Sequence, residues 1–207
     1  MDLLRQPMEE GSITVSRLNQ TVVFPAKTMI AAAMNPCKCG FFPDLGKCRC
    51  TPTQIRRYLN RVSGPFLDRI DIGVEVPRQD LGMMASEKSI DEGSFPQTEQ
   101  RNSSAVMRAR VMEARARQEK RFADESISYN SQMTRRQIEK YCRLSGEDVV
   151  FLEKVERQQG ISARGHGKIL KVARTLADLD GQAEIGRTQL AEAIGFRSFE
   201  KKYWGSL

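Results

Sequence analysis

The sequence is poor in long apolar runs and in histidine. No stretch approaches the roughly 20 apolar residues that a membrane-spanning helix needs, and the mean hydropathy is −0.49, so no membrane partner is expected. The first residues, Met1–Pro7, lack the charged-then-apolar layout of a secretory signal, which makes the cytoplasm the expected location. The single histidine, His166, has no nucleophile or orienting carboxylate beside it in the sequence. General-base chemistry and a catalytic zinc site that depend on histidine are therefore not expected.

Basic residues outnumber acidic ones. The chain of 207 residues carries 33 Lys and Arg against 26 Asp and Glu, a net charge of +7. Such an excess suits a polyanionic partner, such as nucleic acid or nucleotide phosphates. A merely basic soluble protein would have the same composition, so charge leaves both interpretations open. With 40% hydrophobic residues the chain can bury a core, which excludes wholesale disorder.

Four of the five cysteines lie within fourteen residues, in the order Cys37, Cys39, Cys48 and Cys50. In a reducing compartment such a cluster indicates a metal before it indicates disulfides. The spacing C-x-C-x8-C-x-C can supply four thiolates to a structural Zn²⁺, although each C-x-C pair is shorter than the usual C-x2-C knuckle. Free or redox-active thiols are the alternative. The fifth, Cys142, is predicted to be a small buried residue.

The first third of the chain is predicted to contain β-structure. Alternation over residues 12–24 predicts a hairpin with Arg17 near its tip. The short apolar run Thr28–Ala33 is typical of a buried central strand, and Asn35 follows it, where α/β proteins place ligands. Ile70–Val76 alternates as a further strand.

The remainder is predicted to be helical. Thr51 with Gln54 forms a capping box that starts a helix, and residues 79–103 have the Gly-, Ser- and acid-rich composition of a linker. The predicted fold is α+β, mostly α: a β-containing part over 1–78, the linker, helices over 104–195, and a tail over 196–207.

The longest helix is predicted to start near Ser162, which acts as its N-cap. Arg164 in its first turn could face phosphate, because free backbone N–H groups point the same way; an ordinary exposed arginine is the alternative. The apolar positions of this helix are Ile169, Val172, Ala173, Leu176 and Leu179.

Several spaced motifs occur in an order that resembles one family, the YifB/ComM group of magnesium-chelatase-like AAA+ ATPases. The resemblance covers nearly the whole chain except the linker and the last dozen residues. The motifs are Leu4–Gly11, Ala32–Cys37, Cys50–Pro52, Gly64–Ile72, Ser162–Gly165 and Ala173–Leu179.

The resemblance implies a fold and a set of roles. The chain is similar to the second half of an AAA+ α/β core, with a pre-sensor-1 hairpin and a sensor-1 strand, followed by a helical lid domain. Asn35 matches sensor 1, Arg69 the arginine finger, and Arg164 sensor 2; Arg17 on the hairpin is the candidate DNA contact. Members of the ComM branch are hexameric DNA helicases of natural transformation that use ATP and Mg²⁺, whereas the chelatase relatives drive metal insertion into a porphyrin.

The same resemblance implies that Walker A and Walker B precede the segment beginning at Leu3. The nearest approach to a phosphate loop, Gly181–Thr188, has arginine in place of the lysine and follows a helix rather than a strand. We therefore expect this chain alone neither to bind ATP tightly nor to hydrolyse it. Two alternatives to a DNA-remodelling ATPase remain open: a stand-alone zinc-containing module that binds nucleic acid or protein, and a magnesium-chelatase-type subunit.

Overall fold

A computed structural model describes residues 2–18, 20–76 and 103–205. The chain divides into two compact units. The N-terminal unit comprises Met1–Gly73 together with Arg197–Leu207, and the helical unit comprises Val74–Phe196. Apart from Ser103, the expected linker over 79–103 lies outside the described residues. Among the residues described, no helix is both long and apolar enough to cross a lipid bilayer.

The N-terminal unit begins with a short helix and the hairpin. After a 3-10 turn at Asp2–Leu4, helix α1 spans Arg5–Glu10, and Gly11, at a φ of 62°, ends it in the left-handed region that favours glycine. Strand β1 (Ser12–Arg17) then pairs antiparallel with β2 (Gln20–Pro25). The predicted hairpin is confirmed, and Arg17 opposite Gln20 is the last pair before its turn.

Over the residues of this unit that the structure describes, three further helices follow: α2 (Pro52–Leu59), α3 (Gly64–Leu67) and, after the second unit, a C-terminal helix at Ser198–Trp204. The capping box of α2 is confirmed, since Thr51 Oγ1 accepts from the Gln54 N–H at 3.3 Å and the Gln54 side chain accepts from the Thr51 N–H at 3.0 Å. The segment expected to be a tail thus contains a helix. The core consists of two small clusters, one formed by Cys37, Ile55 and Leu59 and the other by Val62, Phe66 and Leu67.

The prediction of two further strands in the first third of the chain is wrong. Thr28–Ala33 is irregular and mostly exposed, with Met29 95% exposed. Residues 70–76 are also irregular, with Val74 68% exposed. An apolar strand is stable only when neighbouring strands satisfy its backbone and cover its faces. The described residues form one two-stranded sheet, the hairpin, and offer these segments no such neighbour.

The helical unit is built from five helices over its described residues: α4 (Ser104–Arg121), α5 (Arg135–Tyr141), α6 (Gly146–Gln159), α7 (Ala163–Leu179) and α8 (Arg187–Gly195). The C-terminal helix of the N-terminal unit is α9. Ser103, Ser145 and Ser162 cap α4, α6 and α7 by accepting a backbone N–H in the first turn. The buried core is Phe122, Met133, Cys142, Leu152, Ile169, Leu170, Ala173, Ala177, Ile185, Leu190, Ala193 and Ile194.

A charged network lies inside this core. Its two members on α7, Arg174 and Asp178, are buried but lie outside the five positions predicted to be apolar. Asp178 has a fully buried side chain, and Arg174 is 2% exposed. Asp178 accepts hydrogen bonds from Arg121 on α4 and, at 2.8 Å, from Asn130 Nδ2, while Arg174 Nη2 lies 3.1 Å from its Oδ1. Arg174 also donates to the Gln182 and Ala183 carbonyl oxygens. These contacts tie α4 and the turn after α7 to one carboxylate.

Candidate functional site

The four clustered cysteines meet at one point in the N-terminal unit. Their Sγ atoms all lie within 4.8 Å of one another. The Cys37–Cys39, Cys39–Cys48 and Cys37–Cys48 separations are 3.3, 3.6 and 3.8 Å. A tight turn makes this approach possible, because Gly40 adopts a φ of 76° and donates its N–H to the Cys37 carbonyl oxygen at 3.1 Å.

These separations fit one metal ion rather than disulfides. A disulfide needs about 2.05 Å between sulfurs, and all five cysteines are free thiols. Four sulfurs placed about 2.3 Å from a central Zn²⁺ in a tetrahedron lie about 3.8 Å apart. Within the described ranges this is the one group of three or more potential ligands that come close enough to share an ion.

The surroundings of the thiols push their pKa values apart. Backbone N–H groups, that of Phe41 foremost, lower the pKa of Cys39 to about 6. The backbone N–H of Cys50 also favours the Cys48 thiolate, but burial and the neighbouring thiols outweigh it and raise the pKa of Cys48 to about 11. Burial opposes ionisation of Cys37, but the backbone N–H groups of Phe42 and Phe41 outweigh it and lower the pKa of Cys37. Two of the four thiols therefore ionise more readily than an ordinary cysteine where a cation would bind.

The cysteine cluster is covered on one side by apolar side chains. Cys37 is fully buried and packs with Ile55 and Leu59 of α2. Phe42 from the cysteine loop meets Tyr203 of α9 edge-to-face, with ring centroids 6.0 Å apart. Trp204, also on α9, donates its indole N–H to the Leu59 carbonyl oxygen at 3.2 Å. Helix α9 thus closes over the cluster, a contact that the sequence pattern did not suggest.

Asn35 lies two residues before Cys37, in the irregular segment between the hairpin and the cysteine loop, and is exposed. The structure therefore leaves this amide accessible to a ligand. The expected buried strand that would carry Asn35 is absent, as described above.

Arg69 is held by groups of its own chain. Its side chain is 12% exposed, and Nη2 lies 2.6 Å from Glu9 Oε2 at the end of α1. Arg69 also donates to the Pro65 carbonyl oxygen in α3. Glu9 was not predictable as a partner from the sequence, because sixty residues separate it from Arg69 and no local spacing links them.

Arg164 and Arg17 are both exposed, the first in the opening turn of α7 and the second at the end of β1. Two residues after Arg164, His166 Nδ1 lies 2.7 Å from Glu156 Oε1, so the histidine has a carboxylate neighbour that the linear sequence hides. The structure thus brings the four cysteines together and leaves Asn35 nearby in the chain. Arg69 belongs to the same unit as these residues, and Arg164 belongs to the helical unit.

Comparison with known proteins gives a consistent assignment for both parts of the chain. Residues 1–84 match the family described as magnesium chelatase, subunit ChlI, and residues 101–197 match the family described as magnesium chelatase, subunit ChlI C-terminal. The two matches follow each other in order.

The chain is also similar to complete curated proteins. It is 41% identical over 199 residues to competence protein ComM of Haemophilus influenzae, and 39% identical over 201 residues to the uncharacterized protein YifB of Escherichia coli. These alignments cover 96% and 97% of the chain but 36% and 37% of the relatives, so the chain spans little more than a third of their length. Matched along both of its parts, the chain belongs to the magnesium chelatase subunit ChlI family.

Proposed function

We propose that the chain forms part of a ring-shaped, ATP-dependent, DNA-remodelling AAA+ protein of the cytoplasm, a homo-oligomer and most simply a hexamer. The observation that carries the proposal is the 41% identity to competence protein ComM along 96% of the chain. That stretch includes Asn35, Arg69 and Arg164, the three residues that match sensor 1, the arginine finger and sensor 2.

The proposed roles follow from the chemistry of these side chains. The amide of Asn35 can donate and accept hydrogen bonds without adding charge, which suits orientation of a water molecule or a γ-phosphate. The guanidinium of Arg69, once released from Glu9, would reach the nucleotide of a neighbouring subunit and offset charge that develops in phosphoryl transfer. Arg164, at the start of α7, would couple the nucleotide to the position of the helical unit, which acts as the lid.

ATP is the substrate in this proposal and Mg²⁺ accompanies it. Mg²⁺ prefers oxygen ligands, so the four-thiol cluster does not suit it, and the described residues hold no group of three or more carboxylates close enough to share an ion. The residues that hold triphosphate and Mg²⁺ are expected in other parts of a ComM-like protein.

ATP hydrolysis tests the proposal directly. The mass of the natural product is first established with an antibody against the 199–207 segment. A ComM-length product, more than twice the 23.4 kDa of this chain, is expected to hydrolyse ATP, and the 207-residue chain alone to show no measurable turnover. A natural product of 23.4 kDa, or a longer one without ATPase activity, would contradict the proposal.

DNA contact by the hairpin is expected to depend on Arg17. The Arg17→Ala variant should bind duplex DNA several-fold more weakly and lower the slope of log affinity against log salt by about one, because one phosphate contact is lost. Arg135→Ala is a matched control, since this 92% exposed side chain is paired with Glu139 on the outside of α5. Equal losses in both variants would mean that Arg17 acts only through net charge.

A second function is a non-catalytic, basic, zinc-containing module that binds nucleic acid or protein. The four-thiol cluster and the net charge of +7 favour it. It predicts salt-dependent DNA binding together with a natural product of 23.4 kDa. A chelatase-type subunit, which the family description suggests, would instead be recognised by ATPase activity that responds to a metal-insertion partner and not to DNA.

A further inference from the structure

We propose that Cys37, Cys39, Cys48 and Cys50 bind one Zn²⁺ and that this ion holds the N-terminal unit in its folded form. The proposal does not rest on the ATPase assignment, because it concerns only residues within this unit.

The donor set selects the metal. Four thiolates form a soft, closed set that suits Zn²⁺ and leaves no open position for catalysis. Because all four sulfurs lie within 4.8 Å of one another, the site has the size of a tetrahedron around a single ion. A two-iron cluster would keep two pairs of cysteines apart, one pair on each iron.

The N-terminal unit needs such an ion, because its apolar core is small. Its two clusters contain three buried residues each, and Cys37 is itself one of the six. Small cores are marginal without disulfides or metals, and metal-binding free energy becomes folding free energy when the unfolded chain has no preformed site.

The positions of the ligands show what the ion would connect. Cys37 lies two residues after Asn35, and Cys50 directly precedes Thr51, the N-cap of α2. The loop between them packs through Phe42 against Tyr203 of α9. One ion would therefore fasten the Asn35 segment to the start of α2 and to the C-terminal helix.

Metal content is the first measurement. Protein purified without chelator is expected to contain about one zinc per chain. Cys48→Ser should lower this at least tenfold, whereas Cys142→Ser should not, because Cys142 lies buried in the core of the helical unit. Absence of zinc from the unaltered protein, or equal loss in both variants, would overturn the proposal. Iron in place of zinc would overturn the choice of metal.

A refolding experiment covers the case in which Cys48→Ser does not fold. The unaltered chain is denatured with chelator, returned to buffer under reducing conditions, and titrated with Co²⁺ and then with Zn²⁺. Co²⁺ should give the intense visible absorption of a tetrahedral thiolate complex at one equivalent, and Zn²⁺ should abolish it.

The chain's one tryptophan reports the structural role in the same titration. Trp204 packs against the cluster of Cys37, Ile55 and Leu59, and its indole N–H donates a hydrogen bond to the Leu59 carbonyl oxygen. The fluorescence emission of Trp204 should therefore shift to shorter wavelength as one equivalent of metal binds. A shift that is complete without metal would mean that the cluster has no part in folding. Metal content, visible absorption and tryptophan emission are all measured without ATP. A failure of the zinc proposal can therefore be distinguished from a failure of the ATPase proposal.

Discussion

In the proposed ComM-length protein, replacing Arg69 by alanine is expected to reduce ATP hydrolysis by about 10³-fold or more while nucleotide binding is retained. An arginine that stabilises the charge of the transferring phosphoryl group contributes on this scale to turnover. In the proposed role the arginine would act on the neighbouring subunit's nucleotide, so its loss should leave the subunit's own binding contacts in place. Steady-state ATPase rates and equilibrium binding of a fluorescent nucleotide measure the two effects separately.

The Glu9–Arg69 pair supplies the control that separates catalysis from structure. Glu9→Gln removes the same ion pair but keeps the guanidinium, so its ATPase activity should fall far less than that of Arg69→Ala. Arg57→Ala removes an exposed arginine of α2 and should change neither rate nor binding. If Glu9→Gln loses as much activity as Arg69→Ala, the arginine acts by holding α1 to the α3 region. Loss of nucleotide binding in Arg69→Ala would also contradict the finger role.

Replacing Asp178 by alanine is expected to destabilise the helical unit by about 3–5 kcal/mol, because it leaves buried positive charge without its partner. Asp178 is fully buried and contacts both Arg121 and Arg174. Burial already lowers the pKa of Arg174, although the Asp178 carboxylate opposes that effect. Removal of the carboxylate should therefore make the charged form of the buried guanidinium markedly less favourable in the folded protein. Urea unfolding is monitored by far-ultraviolet circular dichroism, because the helical unit contributes most of the helical signal.

An exposed ion pair provides the matched control for this variant. Glu139→Ala breaks the ion pair between Glu139, whose side chain is 66% exposed, and Arg135, whose side chain is 92% exposed. This change should alter the free energy of unfolding by less than about 1 kcal/mol. Trp204 fluorescence follows the N-terminal unit in the same samples. An Asp178→Ala variant that unfolds at the same urea concentration as the unaltered protein would show that the buried network is energetically neutral.

Local signals in the sequence predicted the structure well. The capping box at Thr51, the serine cap of α7 and the hairpin all depend on residues within a few positions of one another. The cysteine cluster belongs to the same class, because its ligands occupy a short loop. Each of these features carries its partners within its own stretch of sequence.

Features that depend on distant partners were not predictable in this way. Thr28–Ala33 has the composition of a buried strand, but strand formation requires neighbours that the segment itself does not encode. Glu9 and Arg69 meet across sixty residues, and Arg121 meets Asp178 across fifty-seven. In α7, the spacing of Arg174 and Asp178 by four positions was the available signal, but periodicity alone could not distinguish a buried pair from a solvated one.

The exposed stretch from Met29 to Met34 has a practical consequence for handling the isolated chain. Its six residues contain no charge and no proline, and their backbone lies outside the hydrogen-bonded ladder of the hairpin. Short uncharged segments of this kind are templates for pairing between molecules. Concentrated solutions of the 207-residue chain should therefore self-associate through this segment, and an Ala32→Lys substitution should keep the protein monodisperse in light scattering without affecting the helical unit.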